Sequence, residues 1–382
     1  ATCLVHVVCS QNSEKLDRYF SKQMDKANIA GMQVAYLSEG KLGWVGSYGT
    51  MNANTGEPVR DNTLFMIASC SKPVTALGIM KLYDEGKLDL DADINTYLPF
   101  SVSNLNFPDE KITLRMLLTH TSSLIDDGEL LFSQYTLEIG GDSPIQLSDF
   151  IENYYLKGGE YYSDKNFASY KPASKLSYSN AGYALVGYIL QQVSGMTFNE
   201  FMQQEIFGPL QMADSYWFLN EIPHENISRP HEYDAENDSY EVLKHFGYPT
   251  FPDGQLRTNV QDYSRILELF LNGGKSGGSA FLKPETVQEF LAIQFPEAAE
   301  YQAIAWNFNE FDHWLYYLLM PRLPSHTGAD PGVGTVVSFD PKNGTAGIIF
   351  TNTPTQNFKS HKIFYQEMMK KLLKEAKRNG SN

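Results

Sequence analysis

The chain has 382 residues, a length that fits one large domain or two interleaved ones. Hydrophobic residues make up 42% and aromatic residues 13%, which supports a real core and argues against extended disorder. A formal net charge of −15 argues against nucleic acid as a partner, because that needs clustered Lys and Arg to displace phosphate counterions.

In chain order, Ala1 to Cys9 is a short apolar stretch followed by polar Ser10 to Ser13. It reads as the tail of a signal sequence or as a tag, and the first reading implies export to the periplasm or medium of a bacterium, with the cytoplasm as the alternative. Asn12 to Asn28 has helical spacing, with Leu16, Phe20 and Met24 on one face. Two strand-like runs follow, Met32 to Leu37 and Leu42 to Tyr48, joined by a turn at Glu39-Gly40-Lys41. The middle of the chain is different. Lys72 to Glu85, Leu114 to Thr119, Gly182 to Val193, Asn199 to Ile206 and Asp262 to Asn272 carry helical periodicity, separated by long loops. Strand character returns in Ala303 to Phe308, Trp314 to Leu319, Thr335 to Asp340 and Gly347 to Thr351, with a hairpin signal at Asn343-Gly344. Phe358 to Arg378 reads as a long amphipathic helix, and its basic run from Lys370 reads as a solvated face.

Strands at both ends therefore flank a mostly helical middle. The expected fold is α/β plus all-α: an antiparallel sheet built from both termini and flanked by helices (residues 10–60 and 270–382), with an inserted mostly helical domain (61–269). The active site is expected in the cleft between them, and residues 1–9 stand outside as signal remnant or tag. No run of ~20 apolar residues occurs, so no transmembrane segment is expected. The three cysteines, Cys3, Cys9 and Cys70, are too few for a disulfide scaffold, and no metal-ligand spacing occurs. No cofactor and no metal are expected; the oligomeric state stays open.

Acyl transfer needs a nucleophile, a base within hydrogen-bond reach and donors for the oxyanion. Ser69-Cys70-Ser71-Lys72 supplies the first two, because positions i and i+3 share a helix face. The positive end of the helix dipole favours an oxyanion there. Spacing alone is a weak signal: Ser38-Glu39-Gly40-Lys41 repeats it, but on a hairpin turn. Ser69 differs in context, with an apolar lead-in at Leu64 to Ala68 and a continuing helix from Pro73. Lys275-Ser276-Gly277 and the overlapping Gly274-Lys-Ser-Gly-Gly278 match other hydrolase patterns, but they sit in a Gly-rich loop after a helix.

Three segments together carry a resemblance. Ser69 to Lys72, Tyr178-Ser179-Asn180 and His326-Thr327-Gly328 match, in order, the motif set of the class C β-lactamase and penicillin-binding-protein family, in which Y-x-N stands for S-D-N and some members carry H-x-G for K-T-G. Leu117-Leu-Thr-His-Thr-Ser122 and Gly328-Ala-Asp-Pro-Gly332 are similar to flanking family segments. The resemblance spans residues 14 to 376 and implies a β-lactamase/transpeptidase-like fold.

The resemblance further implies Ser69 as nucleophile, with Lys72 and Tyr178 sharing the work of the base. Asn180, His326, Thr327 and Gly328 would bind substrate, and the backbone N–H groups of Ser69 and Ala329 would form the oxyanion hole. The expected substrate is a small molecule or peptide with an ester or amide bond, and carboxylesterase or D-amino-acid peptidase activity is favoured. A penicillin-binding D,D-carboxypeptidase or weak β-lactamase is the alternative, and a non-turnover sensor stands behind both. The preference comes from position 326, where class C β-lactamases have Lys. An unperturbed His is only about a quarter charged at pH 7. On that footing, carboxylate-bearing substrates are expected to gain as pH falls toward about 6. Ser123 and Asp253-Gly254 depart from positions where relatives often have glycine, which puts local loop shape in question. Tyr161 and Tyr162 are expected to wall the acyl pocket.

Overall fold

A computed structural model describes residues 2–308 and 322–380. Six strands form one antiparallel sheet: β1 (Gly31–Ser38), β2 (Lys41–Asn52), β3 (Glu57–Pro58), β4 (Ser325–Asp330), β5 (Val333–Asp340) and β6 (Thr345–Thr351), in the spatial order β4-β5-β6-β1-β2-β3. The sheet is thus assembled from both ends of the described chain, and its central pairing joins β1 to β6, from Met32 opposite Thr351 to Leu37 opposite Ala346.

Each face of the sheet is covered, so its central strands read as near-continuous apolar runs. Alternation assigns the sides. Met32, Val34 and Tyr36 of β1 point into a layer with Leu16, Phe20 and Met24 of the Thr2–Lys26 helix and with Met369, Leu372, Leu373 and Ala376 of the Met369–Asn379 helix. Ala35 and Leu37 point the other way, into the large core that holds Ile266 and Leu267 of the Val260–Leu271 helix and the helices of the middle of the chain.

Two helices matter most for the site. Lys72–Asp84 begins with Pro73 in its first turn, where a missing N–H does no harm. Asn180–Ser194 is capped by Ser179, whose Oγ accepts from the Gly182 N–H at 2.9 Å, and ends at Gly195 with φ 70°. The two pack closely, since a Cβ on Gly78 would lie 2.6 Å from Leu190, and the second helix also abuts the Phe251–Asp253 turn, where a Cβ on Gly187 would lie 2.5 Å from Pro252.

The expectation of a strand at Ala303 to Phe308 is corrected. The Ala303 N–H donates to the Trp306 carbonyl at 2.8 Å and Ala305 has φ 55°, so the chain reverses there, and only Asn307 bridges to β4. Apolar residues at strand-like spacing serve here to bury Trp306 in a tight turn. The expected strand at Trp314 to Leu319 lies outside the described residues. The Lys275–Ser276 match forms a two-residue hairpin with Ser279–Ala280, away from the main sheet, with Gly277 and Gly278 both at positive φ in the turn. Among the described residues no helix is long and apolar enough to cross a membrane, and no group of three or more potential metal ligands occurs.

Candidate active site

Ser69 lies in a single 3₁₀ turn, Ala68–Ser71, that leads directly into the Lys72–Asp84 helix. The turn is fastened on several sides. Thr335 of β5 donates to the Ile67 carbonyl at 2.8 Å, Tyr263 donates to the Cys70 carbonyl at 3.0 Å, and the Leu256 N–H donates to Ser71 Oγ at 3.2 Å. Ala68 is held at φ 51°, a left-handed conformation that a residue with a Cβ adopts only at a cost of roughly 1–2 kcal/mol. Such strain persists where the surroundings over-determine it.

One turn on, the Lys72 ammonium is fully buried. It donates to Ser69 Oγ at 3.1 Å, to Asn180 Oδ1 at 2.8 Å and to the Asp253 carbonyl at 2.8 Å. Its Nζ also lies 3.8 Å from Asp253 Oδ1 and 4.7 Å from the centre of the Tyr178 ring. Burial pulls the Lys72 pKa down, and the charges of Asp253, Asp126 and Asp330 oppose that shift. A lysine whose ammonium is destabilised by burial is the form of lysine able to take up a proton.

Tyr178 is 44% exposed and its ring lies 4.2 Å from that of His120 and 6.5 Å from that of His326. Two residues on, Asn180 opens a helix whose first N–H groups are bound by Asp126: its carboxylate accepts from the Asn180 N–H at 2.7 Å, the Ala181 N–H at 3.1 Å and the Ser179 hydroxyl at 2.7 Å. His120 Nδ1 accepts from the Ser179 N–H at 3.1 Å. Asp126 and His120 thus place Tyr178 and Asn180 from behind. In sequence, His120 stands within the Leu117–Ser122 segment and Asp126 just after it, and neither has a local spacing that assigns it a role.

The third wall is β4, the edge of the sheet. Gly328 passes so close to Ser69 that a Cβ there would meet Ser69 N at 2.9 Å and the Ile67 carbonyl at 2.5 Å, so only glycine fits. Ser325 exchanges both backbone hydrogen bonds with Asn307 on the outer edge. By the alternation of an antiparallel ladder, the N–H groups of Thr327 and Ala329 point to that same outer side.

His326 is buried, and its Nδ1 lies 2.6 Å from the Thr327 carbonyl. A carbonyl can only accept, so Nδ1 carries the proton and Nε2 is left as an acceptor. Burial, reinforced by the Lys72 charge, pushes the His326 pKa down to about 3. This overturns the expectation that His326 gains charge as pH falls toward 6: the imidazole stays neutral there.

All the expected site residues meet in one place. Ser69, Lys72 and Asn180 share hydrogen bonds, Tyr178 lies under the Lys72 ammonium, and residues 326–329 run along the strand beside Ser69. Three further groups join them. Asp253 abuts Lys72, and Asp330 accepts from the hydroxyls of Tyr135 at 3.0 Å and Tyr248 at 3.1 Å. Burial raises the Asp330 carboxyl to about 6. Tyr135, Phe246 and Tyr248 stack, with 4.4 Å between the two tyrosine rings. Tyr161 and Tyr162, expected to wall the acyl pocket, pack instead on Phe150 and Phe167. The doubt about loop shape at Ser123 resolves simply. Ser123 takes the left-handed φ of 62°, and Asn104 pins it with a 2.9 Å bond to its hydroxyl.

Comparison with known proteins places this arrangement. The beta-lactamase family profile matches residues 16–367. Penicillin-binding protein 4* of Bacillus subtilis is 28% identical over 342 residues, covering 86% of this chain and 69% of the relative; the next curated relative is covered over 64% of its length. Among solved structures, EstCE1, described as a hydrolase with promiscuous acyltransferase activity, aligns with a TM-score of 0.74 at 19% identity over 97% of this chain and 99% of that one. A class C beta-lactamase aligns with a TM-score of 0.71 at 20% identity over 96% of each chain. At these identities the two structures speak for the fold, which is β-lactamase/transpeptidase-like as expected.

Proposed function

The chain belongs to the beta-lactamase family of serine hydrolases, and we propose that it cleaves neutral ester or amide bonds, as a carboxylesterase or D-amino-acid peptidase, through an acyl-enzyme on Ser69. The observation that carries this reading is the buried Lys72 ammonium donating to Ser69 Oγ at 3.1 Å with Tyr178 beneath it.

In the proposed course, a substrate carbonyl enters between Ser69 and β4. The Lys72–Tyr178 pair takes the hydroxyl proton as Ser69 Oγ attacks, and the N–H groups of Ser69 and Ala329 stabilise the oxyanion. Losing one such donor typically lowers the rate ~10²–10³-fold. The pair then returns the proton to the leaving alkoxide or amine. Water, activated by Tyr178, attacks the acyl-enzyme and restores Ser69. Asn180 holds the Lys72 side chain in register and offers its amide N–H to the substrate.

Charge disfavours substrates that bear a carboxylate. The strand position that would draw a substrate carboxylate carries His326, held neutral, and the buried carboxyl groups of Asp126, Asp253 and Asp330 all act on the Lys72 cation. A substrate carboxylate would be repelled rather than paired. The test compares kcat/KM for short p-nitrophenyl esters, D-amino-acid amides, a D-Ala-D-Ala peptide and a penicillin. The reading expects the esters or D-amino-acid amides to lead, by at least about tenfold for a group worth ~1.4 kcal/mol. Faster turnover of penicillin or of the D-Ala-D-Ala peptide would overturn it in favour of a β-lactamase or D,D-carboxypeptidase.

A further inference from the structure

The Asp253 side chain is not used in the course above, yet it is the only carboxylate within 4 Å of the Lys72 ammonium among the described residues. Asp253 touches Lys72 twice, through its carbonyl at 2.8 Å and its Oδ1 at 3.8 Å. Neither side chain is open to solvent, with relative exposures of 0% for Lys72 and 6% for Asp253. The turn that carries Asp253 cannot slide. Its N–H donates to the Thr250 carbonyl at 2.9 Å, Thr75 of the Lys72 helix donates to the Pro252 carbonyl at 2.6 Å, and a Cβ on Gly254 would lie 2.3 Å from the Tyr248 hydroxyl.

Every other titratable group facing Lys72 is spoken for elsewhere or is neutral. From the segment before the Asn180 helix, Asp126 spends its oxygens on Ser179, Asn180 and Ala181. From β4, Asp330 binds the two tyrosine hydroxyls, and His326 is neutral. His120 is held neutral by burial, Cys70 is a buried thiol, and Tyr178 and Tyr183 present ring faces at 4.7 and 5.6 Å.

We propose that Asp253 is a positioning residue for this site: its carbonyl fixes where the Lys72 ammonium sits, and its carboxylate fixes the pH at which that ammonium gives up its proton. The inference rests on the reading that Lys72 serves as part of the base for Ser69. Its physics is direct. Burial lowers the Lys72 pKa and raises that of the Asp253 carboxyl, and where Asp253 is ionised it is the largest charge opposing the shift on Lys72. Removing the negative charge while keeping the carbonyl leaves the lysine in place but frees its proton at lower pH.

The experiment measures kcat/KM for a neutral p-nitrophenyl ester across about pH 5 to 10 in the wild type, Asp253→Asn and Asp253→Ser, with Ser69→Ala alongside. The expected result is an acidic limb displaced toward lower pH by about one unit or more in both Asp253 variants. Because the midpoint is read from the shape of each profile, a partly folded sample lowers the plateau without moving it. A limb that stays in place or moves upward would overturn the proposal. So would loss of activity at every pH in both variants, since a residue acting only through the charge of the lysine is not obligatory. Ester hydrolysis that survives in Ser69→Ala would instead sink the underlying reading of Ser69, a separate and distinguishable outcome.

Discussion

The two walls of the site differ in how they carry charge. On the helical wall, Lys72 is buried as an ammonium among the carboxyl groups of Asp253, Asp126 and Asp330, within reach of Ser69 and Tyr178. On the strand wall, His326 is equally buried but neutral, and Gly328 is there because nothing larger fits against Ser69. The same physics, desolvation, lowers both pKa values. On Lys72 the charges of Asp253, Asp126 and Asp330 oppose that shift; on His326 only a backbone hydrogen bond does. Proton transfer is therefore assigned to the helical wall, and shape and backbone donors to the strand wall.

The division can be broken most severely from the helical side. Lys72→Met should lower kcat/KM for a neutral ester by about 10³-fold or more, and Tyr178→Phe by about 10²–10³-fold, with KM little changed. A loss confined to KM in steady-state kinetics would contradict their assignment to proton transfer. Next comes the support behind that wall. Asp126→Ala removes the acceptor of two backbone N–H groups and the Ser179 hydroxyl, so it should lower stability by about 1–3 kcal/mol and activity by about tenfold. Thermal unfolding and kinetics on the same samples check both.

The strand side should respond less. With His326 held neutral down to about pH 3, the ratio of kcat/KM for a carboxylate-bearing ester to that for its neutral analogue should vary over roughly pH 5.5 to 8 no more in the wild type than in His326→Gln. His326→Lys should raise that ratio by about fivefold, the worth of ~1 kcal/mol. A ratio that climbs as pH falls toward 6 in the wild type but not in His326→Gln would show His326 taking up a proton and erase the contrast between the walls.

The smallest effect concerns Asp330. Its folded pKa of about 6 stands above the ordinary value of ~3.9. The folded state therefore holds a proton that the unfolded chain releases, and this stability is present at low pH and lost as pH rises through about 6. In Asp330→Asn nothing titrates there, so the variant should gain in Tm relative to wild type as pH rises from about 4 to 6.5, and the difference should level off above that. A Tm difference that is constant with pH would contradict the raised pKa.

The parts of this architecture legible in sequence were those written in short spacings. The Ser69 and Lys72 pair sits at i and i+3, the Tyr178–Asn180 motif ends at a helix start, and the strand pattern at both termini follows from apolar runs over Met32 to Leu37 and Gly347 to Thr351. The parts that escaped were contacts between distant positions. Asp253 meets Lys72 across 181 residues and Asp126 meets Asn180 across 54, and nothing local separates those two carboxylates from the other acidic residues of the chain. Asp253 did stand out as a non-glycine beside Gly254, but that signal pointed to loop shape, and only the fold turned it into a charge beside the lysine. His326 was judged by its free-solution pKa, because burial is a property of the packed strand and not of the residue. At Ala303 to Phe308 the apolar spacing was real, but the left-handed Ala305 turned it into a reversal that buries Trp306.

The central claim is a covalent one: Ser69 becomes acylated, and Lys72 makes it competent. It is tested most directly by acid-quenching the protein during turnover of a slow p-nitrophenyl ester and measuring its intact mass, followed by peptide mapping. The account predicts one acyl group on Ser69 in the wild type, none in Ser69→Ala, and far slower appearance in Lys72→Met. Ester turnover with no adduct at any quench time, or an adduct that persists in Ser69→Ala, would contradict it.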